Sequence, residues 1–232
     1  MSRFYPYQNW LADIRSGKPI SYSRYGDGEM YAVIGNRTGQ KNCDGHDFFP
    51  ELGSQLKQIL ISNPKYRLGL LSLSRKMYAS PGKWMVSRQL LAPLLNKHNL
   101  YRYTFYNAEV WNNAYRKGQT FHLCNALRTR NVFMVGPEHL LTFNRFRIQE
   151  RVTVPKTNCF LSVDKVYEDI VKVLDANSNA NFLVSLSAGM TSCLLVDRLY
   201  KSHGHLHSFI DFGSLWDPFA GVLSRNYMHK HK

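Results

Sequence analysis

The chain has 232 residues, 44% of them hydrophobic, with 30 Lys and Arg set against 16 Asp and Glu for a formal net charge of +14. A chain of that size and apolar share buries a sizeable core without disulfide or metal staples, which predicts a single domain over residues 1–232. The charge argues against indifference to polyanions and selects nucleic acid, an anionic membrane face or phosphate-bearing small molecules as partners. The first twenty residues carry Arg3, Asp13, Arg15 and Lys18 and lack the apolar core of a signal peptide. No predominantly apolar stretch reaches the roughly 18 residues that a membrane span needs. The expectation is a cytoplasmic protein. Cys43, Cys124, Cys159 and Cys193 are far apart and form no Cys-x-x-Cys pair, so they read as free thiols rather than zinc ligands.

In chain order, Phe4 to Ile14 reads as a short amphipathic start, closed by Ser16-Gly17-Lys18-Pro19. Ile20 to Tyr25 is a predicted strand, and Glu29 to Ile34 opens a helix. Leu52, Leu56, Ile59 and Leu60 share one helical face, which Asn63-Pro64 ends. Tyr66 to Leu73 is a second strand. Lys83 to Leu95 is helical, with Pro93 kinking or shortening it. Tyr101 to Tyr106 is a third strand. Val132 to Val135 and Arg151 to Val154 follow as strands. Val163, Val166, Tyr167, Ile170, Val171 and Leu174 trace a helical stripe. Asn181 to Leu186 is a buried strand, Thr191 to Tyr200 a helix with Gly204 as its C-cap, and Phe209 to Phe212 a last strand. This alternation predicts an α/β fold, a Rossmann-like, mostly parallel sheet with helices on both faces. Ligands of such sheets sit at the carboxyl ends of the strands, which directs attention to the loops there.

The loop after the first strand is Ser23-Arg24-Tyr25-Gly26-Asp27-Gly28-Glu29. Its two carboxylates lie two residues apart, each preceded by a glycine that allows close ligand approach and unusual backbone angles. Carboxylate oxygens suit Mn²⁺ or Mg²⁺, and the oxygens of a nucleotide diphosphate with water complete such an ion's shell. Arg24 is placed to contact phosphate. The competing reading makes Asp27 a helix N-cap and Glu29 a first-turn acid favoured by the helix dipole.

The run Ser23-Arg24-Tyr25-Gly26-Asp27-Gly28-Glu29 resembles the Ser-Arg-Phe-Gly-Asp-Gly-Glu signature of the GT-D-fold glycosyltransferases, a family long catalogued as a domain of unknown function. Val135-Gly136-Pro137-Glu138, Val152-Thr153-Val154-Pro155, the strand, turn and helix over 183–199, and Asp211-Phe212-Gly213 are similar to later elements of that family. The resemblance implies a GT-D-like sheet and a metal-dependent glycosyltransferase, a hexosyl- or pentosyltransferase. Its donor is a nucleotide sugar, a UDP-sugar by expectation, with Asp27 and Glu29 at the metal and diphosphate. One position departs: Ser214 stands where members often carry histidine.

Other candidates complete the expected site. Ser187-Ala188-Gly189-Met190-Thr191 joins a strand to a helix start, where free amides bind phosphate; Ser187, Gly189, Met190 and Thr191 are therefore donor-binding candidates, along with Arg24, Gly26, Gly28 and Gly213. Asp211 ends an apolar strand as a charge that needs a partner, and joins Asp27 and Glu29 as a catalytic candidate. Glu109, Glu138 and Asp217 are candidates for the base that activates an acceptor hydroxyl. Tyr101 to Tyr106, Trp111, Tyr115, Arg116 and Lys117, with Arg128, Arg130, Arg145, Arg147 and Arg151, interleave aromatics and cations. They read either as half-buried packing with solvated charges or as a groove for a polyanion. The charge points to a nucleic-acid acceptor such as a hydroxymethylated base in DNA, hence a phage-encoded enzyme working in a host cytoplasm. The alternatives are a non-catalytic nucleic-acid-binding protein or a metal-dependent nuclease or phosphotransferase. His203, His205 and His207 alternate, but Gly204 splits them between helix and strand.

Overall fold

The structure is a computed structural model that describes residues 5–35, 39–42, 45–73, 85, 87–225 and 228. Cys43 and the basic tail at 229–232 lie outside the described residues. Seven strands form one sheet in the order β3-β2-β1-β7-β6-β4-β5. They are β1 (Ser21–Tyr25), β2 (Arg67–Leu70), β3 (Tyr106–Asn107), β4 (Asn131–Pro137), β5 (Glu150–Val154), β6 (Phe182–Leu186) and β7 (Ser208–Asp211). Every pairing is parallel. The helices are α1 (Tyr7–Arg15), α2 (Asp27–Ile34), α3 (Pro50–Ser62), α4 (Ala92–Lys97), α5 (Val110–Arg116), α6 (Thr120–Leu127), α7 (Val163–Ala176) and α8 (Thr191–His203).

Parallel strands need crossovers, and the crossovers cover both faces of this sheet. On one face Tyr25, Val184, Leu186 and Phe209 pack under α2, α3, α7 and α8, with Met30, Leu56, Leu60, Ile170 and Leu195 among the buried residues. On the other, Tyr22, Met134, Leu183 and Ile210 meet Trp10, Trp111, Leu123, Phe212 and Trp216. Strand periodicity sends Tyr22 and Tyr25 to opposite faces, and it leaves β6 buried at every position.

Several sequence expectations change in the structure. The segment 101–106 is not a strand: Leu100–Arg102 is a 3-10 helix, Phe105 makes a single bridge, and the strand is Tyr106–Asn107, paired with Gly69 and Leu70. The 3-10 turn at Leu100–Arg102 delays the approach to the edge, so the chain meets β2 only beside Gly69 and Leu70. Instead, Tyr106 joins Tyr5 and Trp10 around the Arg67 guanidinium, which lies 4.8 Å from each of the Tyr5 and Trp10 rings and bonds Asp13 at 2.7 Å. Of the helix expected over 83–95, residues 83, 84 and 86 lie outside the described set; Ser87–Leu91 is a π-helix, and Pro93 sits in the first turn of α4. Proline offers no amide to the preceding turn, and the wider π turn accommodates the loss. Helix α2 begins at Asp27 rather than Glu29. Helices α5 and α6 occupy a stretch for which periodicity predicted no element.

His207 precedes β7, is 1% exposed, and accepts the Phe182 amide at Nδ1, 3.2 Å away. Burial, reinforced by His203 and His205, pushes its pKa down to about 4. The folded state therefore resists a proton that the unfolded chain takes up near pH 6.5, so this group's contribution is full above pH 6.5 and declines as pH falls toward 4. Between pH 7 and 5 the expected loss is about 2 kcal/mol. Urea midpoints at the two pH values measure it, and His207→Asn, which keeps an acceptor for the Phe182 amide, should flatten the slope.

Candidate active site

At the carboxyl edge of the sheet the strand ends align: Val135 of β4 pairs with Leu186 of β6, and Leu186 with Asp211 of β7. On the far side of β7, the Arg24 amide of β1 donates to Asp211 Oδ2 at 3.3 Å. The chain leaves β1 and β6 toward the face of α2 and α8, whereas after β7 it turns to the face of Trp216. Adjacent strands whose loops part to opposite faces leave a crevice between them, and here it lies at the ends of β1, β7 and β6.

The acidic pair stands on one wall. Glu29 is the third residue of α2 and reaches back to the Gly26 amide, N···Oε2 2.8 Å, in one half of a capping box. Gly26 is the N-cap with φ −82°, so neither unusual angles nor an Asp27 cap explains this loop. Space explains Gly26, because a Cβ there would stand 3.1 Å from Glu29 Oε2. Burial pushes the Glu29 carboxyl up to about 7, with Arg24 opposing and Asp211 and Asp27 adding to the rise. The carboxylate of Asp27, first in the helix and half-buried, accepts no hydrogen bond from any described residue.

Arg24 and Asp211 form the floor. Asp211 is 2% exposed and has both oxygens engaged: Oδ1 takes the Gly213 amide at 2.8 Å, and Oδ2 takes the Arg24 amide and faces Arg24 Nε at 3.6 Å. Burial raises the Asp211 carboxyl, and Arg24 with the two amides holds it back. Arg24 also donates to the Ala108 carbonyl at 3.2 Å, and the Cys193 thiol donates to its carbonyl at 3.1 Å, which ties β1 to α8. Gly213 covers the guanidinium with φ +57°, and a Cβ there would come within 2.0 Å of Arg24 Nη2. Gly213→Ala is therefore expected to cost about 2 kcal/mol or more, from left-handed strain plus displacement of Arg24. A shift of the urea midpoint at unchanged slope measures it.

The β6–α8 turn forms the remaining edge. Ser187 donates its amide to Val135 O at 2.8 Å, and Ser192 Oγ takes the Ala188 amide at 2.9 Å. Gly189 has φ +58°, and a Cβ there would stand 2.9 Å from His46 Nε2. His46 in turn accepts the Asn158 amide at Nδ1, 2.9 Å away. Met190 and Thr191 are buried, and a slot of about 10 Å³ separates them from His46, Asp47 and Asn158. Met190 Sδ would lie 3.7 Å from a Cβ at Gly28, so the acidic loop and this turn lie beside each other. The Ser187 hydroxyl is buried and has no hydrogen-bond partner among the described residues. The structure thus gathers Arg24, Gly26, Asp27, Gly28, Glu29, Ser187, Gly189, Met190, Thr191, Asp211 and Gly213 around one crevice.

No protein-family model matches the chain, and no curated protein matches it. Two solved structures do. One is of the domain of unknown function 1792, described as highly conserved and as having a distinct glycosyltransferase fold; it superposes with a TM-score of 0.64 at 19% identity, over 93% of this chain and 79% of that one. A selenomethionine-substituted structure of the same domain gives a TM-score of 0.61 at 19% identity over the same shares. The chain has that glycosyltransferase fold. At this identity the likeness is one of architecture.

Within the glycosyltransferase fold, the remaining candidates separate. Glu109 is 3% exposed, bonded to Asn112 at 3.1 Å and facing Arg116 at 3.8 Å. Glu138 is exposed and opens a 3-10 helix, Glu138–Thr142, after β4. Asp217 is 7% exposed, takes His139 Nε2 at 2.9 Å on Oδ1 and the Ser224 hydroxyl on Oδ2. Sequence reading named Asp217 but not His139; the one available signal was a histidine just after Gly136-Pro137-Glu138. Arg130 and Arg151 turn inward, onto the carbonyls of Ile14, Leu140 and Phe143, whereas Arg102, Arg128, Arg145 and Arg147 stay exposed. Burial pushes the Cys159 thiol up to about 11 and raises those of Cys124 and Cys193, which makes all three poor nucleophiles. Among the described residues no group of three or more His, Cys, Asp or Glu could hold a metal, and no helix is long and apolar enough to cross a membrane.

Proposed function

We propose that the protein is a metal-dependent glycosyltransferase that takes a sugar from a nucleotide-sugar donor, a UDP-sugar by preference, to an acceptor hydroxyl. The observation that carries the reading is the placing of the Asp27/Glu29 loop beside the Ser187–Thr191 turn, with Gly28 next to Met190, in a glycosyltransferase fold. The donor set fits a hard cation of the Mn²⁺ or Mg²⁺ kind. Asp27 has an uncommitted carboxylate and Glu29 one oxygen beyond its bond to Gly26, so two protein ligands leave the rest of an octahedron to diphosphate and water. When bound, the ion supplies charge neutralisation at the departing diphosphate.

The chain's own groups do the remaining work. Amides at the start of α8 and the Ser187 hydroxyl, which has no partner among the described residues, offer donors to phosphate or ribose oxygens at the positive end of a helix. Asp211 and Arg24 hold the two loops in register rather than facing solvent. The net charge of +14 supports a polyanionic acceptor, for which DNA bearing a hydroxylated base is the proposed case. A host-cytoplasm setting and a phage origin belong to that same proposal.

A thermal-shift series with UDP and UDP-sugars, each with and without Mn²⁺, tests the donor site. Mass action predicts a rise of about 2.7 kcal/mol in stability at a hundred times Kd, and the rise should require nucleotide and metal together. Absence of any nucleotide-dependent shift, together with tight binding of duplex DNA, would instead favour a nucleic-acid-binding protein. Binding of duplex DNA at 50 and 200 mM salt tests the acceptor: phosphate contacts predict a steep loss, and a flat response would remove DNA.

A further inference from the structure

The crevice has a second wall. Asp27, Glu29 and the start of α8 stand on the face of Tyr25 and Leu195, while the loop after β7 and the turn after β4 stand on the face of Trp216. On that second wall His139 Nε2 lies 2.9 Å from Asp217 Oδ1. Asp217 is 7% exposed, and its other oxygen receives the Ser224 hydroxyl. A carboxylate so placed accepts the Nε2 proton, which makes Nδ1 the nitrogen with the open lone pair. Nδ1 meets no donor or acceptor among the described residues, and the side chain keeps 22% of its surface exposed.

The dyad belongs to the same strand ends as the donor site. His139 follows Gly136 by three residues, and a Cβ at Gly136 would lie 3.3 Å from Ser187 Cβ. Asp217 lies four residues beyond Gly213, the residue that covers Arg24, and its amide donates to Ser214 O at 3.2 Å. Arg225 Nε donates to Ser214 Oγ at 3.1 Å, which pins the loop at the crevice. Exposed cations border this wall: the Arg145 guanidinium lies 5.6 Å from the Phe219 ring, and Arg128 donates to Arg145 O at 3.2 Å.

We propose that His139, held by Asp217, is the general base that activates the acceptor hydroxyl, so that donor and acceptor meet across the β7 end from opposite walls. The inference rests on the glycosyltransferase reading. The acceptor O–H gives its proton to His139 Nδ1, and the oxygen's electron pair forms the new bond to the anomeric carbon. The bond from that carbon to the diphosphate oxygen breaks, and its electrons leave with the nucleoside diphosphate. Asp217 does not touch the reactants; it positions the ring and steadies the imidazolium.

The test uses the full chain, UDP-glucose, UDP-galactose and UDP-N-acetylglucosamine with Mn²⁺, and water as the acceptor. His139→Ala and His139→Gln, each first checked for an unchanged melting point, are expected to bind UDP as the wild type does while hydrolysis falls about 10²–10⁴-fold. Imidazole in the buffer should restore part of the activity to His139→Ala but not to wild type. Asp217→Asn should lower kcat with little change in KM. Unchanged turnover in both His139 variants, with UDP bound, overturns the dyad and leaves the donor site standing. No nucleotide binding by the wild type overturns the donor reading and this assignment with it. If the wild type binds UDP but hydrolyses none of the three sugars, the ¹⁵N spectrum of His139 at pH 8 decides: a proton on Nε2 sustains the proposal, and a proton on Nδ1 overturns it.

Discussion

Replacing Asp27 with alanine is expected to lower sugar transfer, or hydrolysis of a UDP-sugar, about a thousandfold, equivalent to about 4 kcal/mol of transition-state stabilisation. The fold should survive. The Asp27 carboxylate accepts no hydrogen bond from a described residue, and an acid in the first turn of a helix is worth only about 0.3–1 kcal/mol. The Mn²⁺-dependent part of the nucleotide thermal shift should vanish with the activity. Glu29→Ala is the less informative change, because it also removes the bond to the Gly26 amide, and so mixes loss of a cap with loss of a ligand. Asp27→Ala activity within about threefold of wild type would reduce the pair to the start of a helix.

Asp211→Ala is expected to destabilise the protein by about 3–5 kcal/mol, because it strands the Arg24 guanidinium under Gly213 with the Ala108 carbonyl as its remaining bonded acceptor. For a chain of this length that is a fall of about 10 °C in melting temperature. Removing both charges in Arg24→Leu/Asp211→Leu should recover more than half of the loss, since the cost lies in the unpaired buried ion and not in the missing pair. A stable Asp211→Ala that is nonetheless inactive would place Asp211 among the reacting groups rather than beneath them. The same arrangement explains the glycine that follows: Gly213 leaves room for Arg24 where any other residue would not.

Much of the sheet was legible because central parallel strands, buried on both faces, read as short apolar runs, and the edge strand β5 as a β-branched run closed by Pro155. Val132 to Val135, Arg151 to Val154, Asn181 to Leu186 and Phe209 to Phe212 all fall within a residue or two of β4, β5, β6 and β7. The stripe from Val163 to Leu174 is α7, whose buried side is Val163, Val166, Ile170 and Leu174. Edges and crossovers read less well. Aromatic alternation over 101–106 met the strand pattern, but the chain reaches β2 only near the end of that run, with Tyr106 and Asn107 beside Gly69 and Leu70. Pairing is set by a neighbour, and no local pattern reports where the chain will meet it.

The sequence by itself determined an α/β chain with a glycine-flanked acidic pair at the end of its first strand and a serine-glycine turn before a late helix. Those are local facts of spacing, apolar period and turn chemistry. Only the tertiary structure decided which loops share a crevice. It set Arg24 against Asp211 across 187 residues and His139 against Asp217 across 78. Such contacts follow from strand order, here β1 beside β7 with β6 and β4 next in line, and from the face to which each connection turns. The structure also sets Arg24, 15% exposed, against Asp211, and it turns Arg130 and Arg151, whose pattern fitted either packing or a polyanion groove, onto the carbonyls of Ile14, Leu140 and Phe143. A sequence displays charge, but burial and partners decide whether that charge is available to a ligand.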